Sequence, residues 1–232
     1  VVVPAAGSGS RMQADRPKQY LPLLGKTVLE CTLDGLLSHA AVAHVYMPVA
    51  ADDKCWSTLS AGYYGRVSAV AGGASRADSV LNALRSLQSF ADPRDWLLVH
   101  DVARPCLRHA DLDKLLSGLQ DSAVGGLLGG PAADTMKRTA SDGLVTETVS
   151  RDNLWRAYTP QMFRFGLLMK ALEGALAAGV LITDEASAIE FAGLRPQMIR
   201  GQDDNIKLTY PRDLELAALF LQRILKEENR QS

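Results

Sequence analysis

Short apolar runs alternate with longer segments of helical periodicity through most of this chain. VVVPAA (1–6), VAHVYMPV (42–49), RVSAVA (66–71), WLLVH (96–100) and AVGGLLGG (123–130) read as strands. Between them, Thr27-Val-Leu-Glu30 has the form of a capping box and opens a helix to about Ala40. Ser75 is placed to cap a second helix, in which Ala77, Val80, Leu81, Leu84 and Leu87 recur at helical spacing. Asp111 to Gln120 is a third, and Pro211 stands at a first-turn position before a long helix to about Glu228. Strand, helix, strand repeated in this way predicts an α/β fold with a mostly parallel, twisted sheet covered by helices on both faces. The 232 residues show no linker, repeat or low-complexity stretch, so a single domain over 1–232 is expected.

One region breaks the rhythm. Residues 131–153 alternate polar and β-branched side chains around Ser141-Asp142-Gly143, the pattern of a β-hairpin arm. Leu144, Val145 and Val149 are too few to pack a core. The arm leans either on a second subunit, making a homodimer, or on its own domain.

In a sheet of this kind, ligands sit beyond the carboxyl ends of the strands. The turns in question are Gly7-Ser8-Gly9-Ser10-Arg11 after the first strand, Gly72-Gly73-Ala74-Ser75-Arg76 after the third and Asp101-Val102-Ala103-Arg104 after the fourth. Two glycine turns and an Asp/Arg cluster thus face one edge. A dinucleotide fingerprint fails at Met12, where its third glycine belongs, and a P-loop ending at Gly25-Lys26-Thr27 fails at Tyr20. What remains is a turn whose N–H groups can approach a phosphate chain, with Arg11 and Lys18 to neutralise it.

Asp101, directly after a strand, is a natural position for Mg²⁺ or another divalent cation, and equally for a turn cap. Arg104 could hold a substrate phosphate, and a second acid–cation group lies at Asp203-Asp204-Asn205-Ile206-Lys207. GxSxG is absent, and His100 reads as a satisfied strand-end histidine. A reaction without a protein nucleophile is implied, such as phosphoryl or nucleotidyl transfer.

Composition narrows the setting. A net charge of −1 with scattered Lys and Arg argues against a nucleic-acid surface, where a basic face is expected. No apolar run approaches the roughly 20 residues of a membrane span. Three cysteines and four histidines without metal or disulfide spacing fit a reduced, cytoplasmic setting.

The segments PAAGSGSRM, PKQYL, GG-x-x-RADSV (72–80), VHDVARPC (99–106), DTMKR (134–138), TPQMF (159–163), ITDEASA (182–188) and DNIKLT (204–209) together resemble the 2-C-methyl-D-erythritol 4-phosphate cytidylyltransferases of the non-mevalonate isoprenoid pathway. The resemblance runs from the first residues to about Tyr210 and implies a Rossmann-like nucleotidyltransferase fold with a protruding arm. It further implies that Ala5, Ala6, Gly7, Gly9, Arg11 and Lys18 hold the CTP triphosphate, with Gly73, Ser79 and Arg76 near the cytosine. Asp101 is then the acid beside the metal and the polyol phosphate, followed by Arg104. Thr135, Arg151, Thr159, Thr183 and Lys207 match acceptor-binding positions, Thr135 and Arg151 serving the partner's site in a homodimer. Arg11, Lys18 and Lys207 are the expected catalytic cations.

Two departures stand out: Ala74 replaces an acidic residue of many relatives, and Ser8 and Ser10 replace bulky or basic ones. A ribitol 5-phosphate cytidylyltransferase and a non-catalytic nucleotide-binding regulator remain open at this point. A dehydrogenase is weakened by Met12.

Overall fold

The computed structural model describes residues 1–7, 12, 16–228 and 230. After a 3₁₀ turn at Lys18–Tyr20, a small ladder of β1 (Pro22–Leu23) and β2 (Lys26–Thr27) leads into α1 (Val28–Leu37). Then follow β3 (Val45–Val49), α2 (Lys54–Leu59), β4 (Val67–Ala71), α3 (Arg76–Leu87), β5 (Trp96–Val99) and α4 (His109–Leu119). The second half holds β6 (Gly125–Pro131), β7 (Met136–Thr139), β8 (Val145–Val149), β9 (Trp155–Arg164), α5 (Phe165–Ala177), α6 (Glu185–Phe191), β10 (Gln197–Arg200) and α7 (Asp213–Glu228).

The main sheet is ordered β4, β3, the N-terminal segment, β5, β9, β6, β10. Val2 bridges β3 and β5 in parallel, and Val3 and Ala5 donate onward to the carbonyls of Tyr46 and Pro48. Every pairing is parallel except those of β9, which runs against both β5 and β6. The sheet is therefore mostly parallel, as the alternation predicts. The antiparallel β9 is an addition that the pattern did not announce.

Period-2 alternation divides the strands between two cores. Val2, Leu97, Val99, Leu127 and Phe163 pack with α3, α5 and α6 on one face. Their neighbours Val3, Leu98, Leu128 and Met162 pack with α1 and α4 on the other. A third cluster seats α7 through Ala217, Leu221 and Ile224 against Val28, Cys31, Cys106 and Leu208.

The expected caps are present. Thr27 and Glu30 close a reciprocal box on α1, and Ser75 and Asp78 do the same on α3. Pro211 differs from expectation: α7 begins at Asp213, whose carboxylate takes the N–H groups of Thr209 and Tyr210. Proline therefore ends the preceding loop and does not open the helix. The hairpin arm is β7 paired with β8, and almost all its side chains face solvent.

Gly126 is where the sheet tolerates no side chain, because a Cβ there would collide with the Gln197 carbonyl of the adjoining β10. Gly126→Ala should push β6 and β10 apart and destabilise the protein by about 1–3 kcal/mol. A lowered urea midpoint at unchanged slope is the expected readout, and an unchanged midpoint would show that the strands part without cost.

Candidate active site

Parallel strands deliver their following turns to one edge, and two clefts open there. The larger, about 450 Å³, is lined by Pro4, Ala6, Gly7, Lys18, Gln19, Gly73, Ala74, Ser75, Arg76, Ser79, Asp101, Val102, Ala103 and Lys207. The second, about 320 Å³, is lined by Arg76, Asp101, Arg104, Ala157, Tyr158, Thr159, Gln161, Thr183, Asp184 and Lys207. Arg76, Asp101 and Lys207 belong to both, so they form the seam between the clefts.

The seam is an ion cluster built around Asp101. Arg76 Nε donates to Asp101 Oδ1 at 3.0 Å, and Lys207 Nζ lies 2.7 Å from Oδ2. Arg104 Nε stands 3.8 Å from the same Oδ2. Burial alone would raise the Asp101 pKa, but Arg76, Lys207 and Arg104 outweigh it and hold the carboxyl well below the usual carboxylate range. Burial likewise disfavours the Arg76 cation, and the carboxylates of Glu185 and Asp101 overcome it, leaving the guanidinium more firmly protonated than usual. Asp101 is therefore ionised at any physiological pH.

Directly behind Asp101 lies a chain of directed hydrogen bonds. Buried His100 has Nε2 3.0 Å from the Arg104 carbonyl, which can only accept, so Nε2 carries the proton. Burial pulls the His100 pKa down to about 4, so Nδ1 is bare and accepts from the Thr159 hydroxyl at 3.1 Å. Thr159 Oγ1 in turn accepts the Asp101 N–H at 2.9 Å. β9 makes this possible: its pairing of Gln161 with Val99 sets Thr159 beside Asp101. Thr159 lines the second cleft, yet its one hydroxyl proton is committed to His100.

The loop that carries Lys207 is tied down on several sides. Buried Asn205 donates to the Thr159 carbonyl at 2.9 Å, and its own carbonyl accepts Arg104 Nη1 at 2.6 Å. Leu208 N–H reaches the Ala103 carbonyl, and Arg108 Nη2 reaches Asp204 at 2.5 Å. Arg104 also donates to the Ala157 carbonyl and covers the Tyr158 ring, and its Nε finds no hydrogen-bond partner among the described residues.

Of the residues singled out from sequence, Ala6, Gly7, Lys18, Gly73, Arg76, Ser79, Asp101 and Lys207 line the larger cleft. Arg104, Thr159 and Thr183 line the second. Ala5 sits in the core, where its carbonyl accepts Gln19. Ser79 uses its hydroxyl to tie the turn, accepting from Gly73 N–H and donating to the Ser75 carbonyl. Gly73 has no room for a side chain against Asp78 at the start of α3. Thr135 is exposed at the foot of the arm, and Arg151 is spent on the Ala133 carbonyl at 2.5 Å; neither is among the residues that line these two clefts. Gly9 and Arg11 lie outside the described residues.

Glu185, Asn205 and Gln161 were not singled out from sequence. Glu185 lies within ITDEASA, where an acid reads as an ordinary first-turn residue.

Among the described residues the seam itself holds one carboxylate, Asp101, whose two oxygens already meet cations, and Asp184 adds a second to the lining of the smaller cleft. Among the described residues no group of three or more His, Cys, Asp or Glu side chains could hold a metal ion. This donor set suits a divalent cation whose other ligands come from phosphate and water; it does not build a cage of protein ligands.

Comparison with known proteins agrees with the motifs. Residues 1–223 match the model of the family described as IspD, 2-C-methyl-D-erythritol 4-phosphate cytidylyltransferase. A protein of that name from Hahella chejuensis is 57% identical over 228 residues, covering 98% of this chain and 95% of the relative. One from Pseudomonas aeruginosa is 55% identical, covering 92% of each. Among solved structures, 4-diphosphocytidyl-2C-methyl-D-erythritol synthase superposes with a TM-score of 0.83 at 38% identity, over 95% of this chain and 96% of that one. The Francisella tularensis cytidylyltransferase gives 0.83 at 33%, over 94% and 97%.

The neutral His100 has a consequence for stability. Its pKa of about 4 in the fold lies below the 6.5 of an unfolded chain, so the unfolded state binds the proton more readily between those values. Its contribution is complete above pH 6.5 and is lost as pH falls toward 4, on the order of 3 kcal/mol in all. Urea midpoints measured from pH 7 to 4 should fall more steeply for the natural protein than for His100→Asn. Parallel profiles would contradict a buried neutral imidazole.

Proposed function

The chain belongs to the 2-C-methyl-D-erythritol 4-phosphate cytidylyltransferase family, and we propose that its two clefts hold the two substrates of that reaction. The enzyme is a nucleotidyltransferase that joins CTP to 2-C-methyl-D-erythritol 4-phosphate. The products are 4-diphosphocytidyl-2-C-methyl-D-erythritol, an isoprenoid precursor, and pyrophosphate. CTP occupies the larger cleft, with its triphosphate along Ala6, Gly7 and Lys18 and its base near Gly73 and Ala74. The polyol phosphate occupies the second, beside Arg104, Thr159 and Thr183. The single observation that carries this assignment is the shared seam of Arg76, Asp101 and Lys207, which brings two anionic substrates together at one cationic point.

A phosphate monoester has a second pKa near 6 and is mostly dianionic at neutral pH, so it needs no general base. A phosphate oxygen attacks the α-phosphorus of CTP in line, the bond to the bridging oxygen of the β-phosphate breaks, and pyrophosphate leaves with that electron pair. The obstacle is repulsion between anions. Lys18 and Lys207, with Arg11 from the glycine loop, are placed in the proposal to offset it. A divalent cation would be held by Asp101 together with the phosphates of CTP, and would help to neutralise the charge gathered at the α-phosphorus.

The exposed arm is proposed to cross to a second subunit, which would give Thr135 and Arg151 a site to serve. Met136, Leu144 and Val145 are exposed apolar groups on it, and a surface hairpin gains little from leaving them in water. A cytoplasmic location is proposed from three unpaired cysteines, two of them buried. Extracytoplasmic fractionation of the enzyme would remove that proposal.

Lys207→Ala should lower kcat for pyrophosphate release by about 10²–10³ at saturating substrates. Near-normal turnover would remove the residue from the mechanism. Assayed with CTP and each polyol phosphate in turn, the enzyme should turn over methylerythritol phosphate in preference to ribitol 5-phosphate; the reverse order would overturn the acceptor assignment. Replacing residues 136–149 with a short Gly-Ser turn should convert a dimer to a monomer in sedimentation, and an unchanged sedimentation coefficient per subunit mass would place the interface elsewhere.

A further inference from the structure

Glu185 touches neither cleft, yet it is fully buried and grips the residue on which the seam depends. Its Oε1 accepts Arg76 Nη1 at 2.6 Å and its Oε2 accepts Nη2 at 3.1 Å, a two-pronged pairing. Both partners open helices: Arg76 is the first residue of α3 and Glu185 the first of α6. The α6 N-terminus favours the acid, whereas a cation at the α3 N-terminus is disfavoured unless carboxylates surround it.

The geometry at Asp101 follows from this grip. A guanidinium prefers to meet a carboxylate with two parallel N–H bonds. Because Glu185 engages the terminal pair end-on, Arg76 meets Asp101 with its Nε–Nη2 edge, and both nitrogens converge on Oδ1, Nε at 3.0 Å and Nη2, shared with Glu185, at 2.9 Å. Oδ2 is left to Lys207 at 2.7 Å. The alternation Glu185, Arg76, Asp101, Lys207 thus passes a constraint from the start of α6 to the ammonium at the seam.

We propose that Glu185 is a positioning residue for nucleotidyl transfer: its end-on grip sets the angle at which the Nε–Nη2 edge of Arg76 converges on Asp101 Oδ1, and so leaves Oδ2 to orient Lys207. The proposal rests on the reading of Lys207 as the cation of the transferring centre. A glutamine in place of Glu185 offers one acceptor and turns an NH₂ toward a guanidinium, which releases Arg76 to turn and spread its two nitrogens over both oxygens of Asp101. Lys207 then loses its anchor, while the triphosphate wall of the CTP cleft at Ala6, Gly7 and Lys18 stays as it is.

The test is a kinetic cycle on the full-length enzyme with Glu185→Gln, Lys207→Ala and the double variant, monitored by pyrophosphate release. Glu185→Gln should lower kcat by about 10–100-fold, the scale of supporting-residue losses, with KM for CTP changed by less than about 3-fold. Added to Lys207→Ala it should cost nothing further, because its effect passes through the missing ammonium. Multiplying losses, or a raised KM with unchanged kcat, would overturn the positioning role. If Lys207→Ala itself keeps normal turnover, the reading of Lys207 fails first, a different outcome from multiplying losses. Should Glu185→Gln not fold, Glu185→Asp enters the same cycle; it keeps the charge but shortens the reach, and the same absence of a further loss is expected in the Lys207→Ala background.

Discussion

A buried carboxylate among three cations is the interaction on which the site depends. Asp101 stands two residues beyond β5 and accepts Arg76 on one oxygen and Lys207 on the other, with Arg104 close by. Arg76 and Arg104 are costly to bury alone, and the carboxylate offsets part of that cost while it anchors the more exposed Lys207. Removing it would leave unpaired charge at the seam and free the arginine and lysine side chains. The same residue is held by its own N–H through Thr159 and His100, so its position is set from the backbone as well as from its charge.

This arrangement accounts for a site without a general base. His100 is the histidine nearest the chemistry in sequence, and it is buried, neutral and engaged through both nitrogens. A dianionic phosphate nucleophile has no proton for it to take. What the site supplies is fixed positive charge on a rigid loop, and the bonds made by Asn205, Arg104 and Leu208 serve that rigidity. The proposed roles of Lys18 and Lys207 follow from charge and placement together.

Much of this was legible in the chain because the relevant signals were local. Thr27–Glu30 and Ser75–Asp78 cap the helices their spacing announced, and the turns after the first, third and fourth expected strands do line one cleft. β9 was harder to see, since Pro160 interrupts its alternation, and its pairing with β6 slips between Leu127 and Gly129 opposite that stretch. Yet this strand brings Thr159 to Asp101. Glu185 was hidden for another reason: its partner Arg76 is 109 residues away, and only the packing of α6 on α5, in the core that both share with α3, brings them together. Ala5 and Ser79 belonged to true motifs, but their main-chain and hydroxyl groups are occupied in holding the turns. Motif membership does not separate a residue that touches ligand from one that shapes the loop.

The most direct measurement of the central claim is a crystal structure with a non-transferable CTP analogue and the polyol phosphate bound together. The proposed geometry predicts the α-phosphate at the seam within hydrogen-bonding reach of Lys207, with the acceptor phosphate approaching from the Arg104 and Thr159 side, opposite the pyrophosphate. Both anions in the larger cleft, or an α-phosphate held away from Asp101 and Lys207, would contradict it.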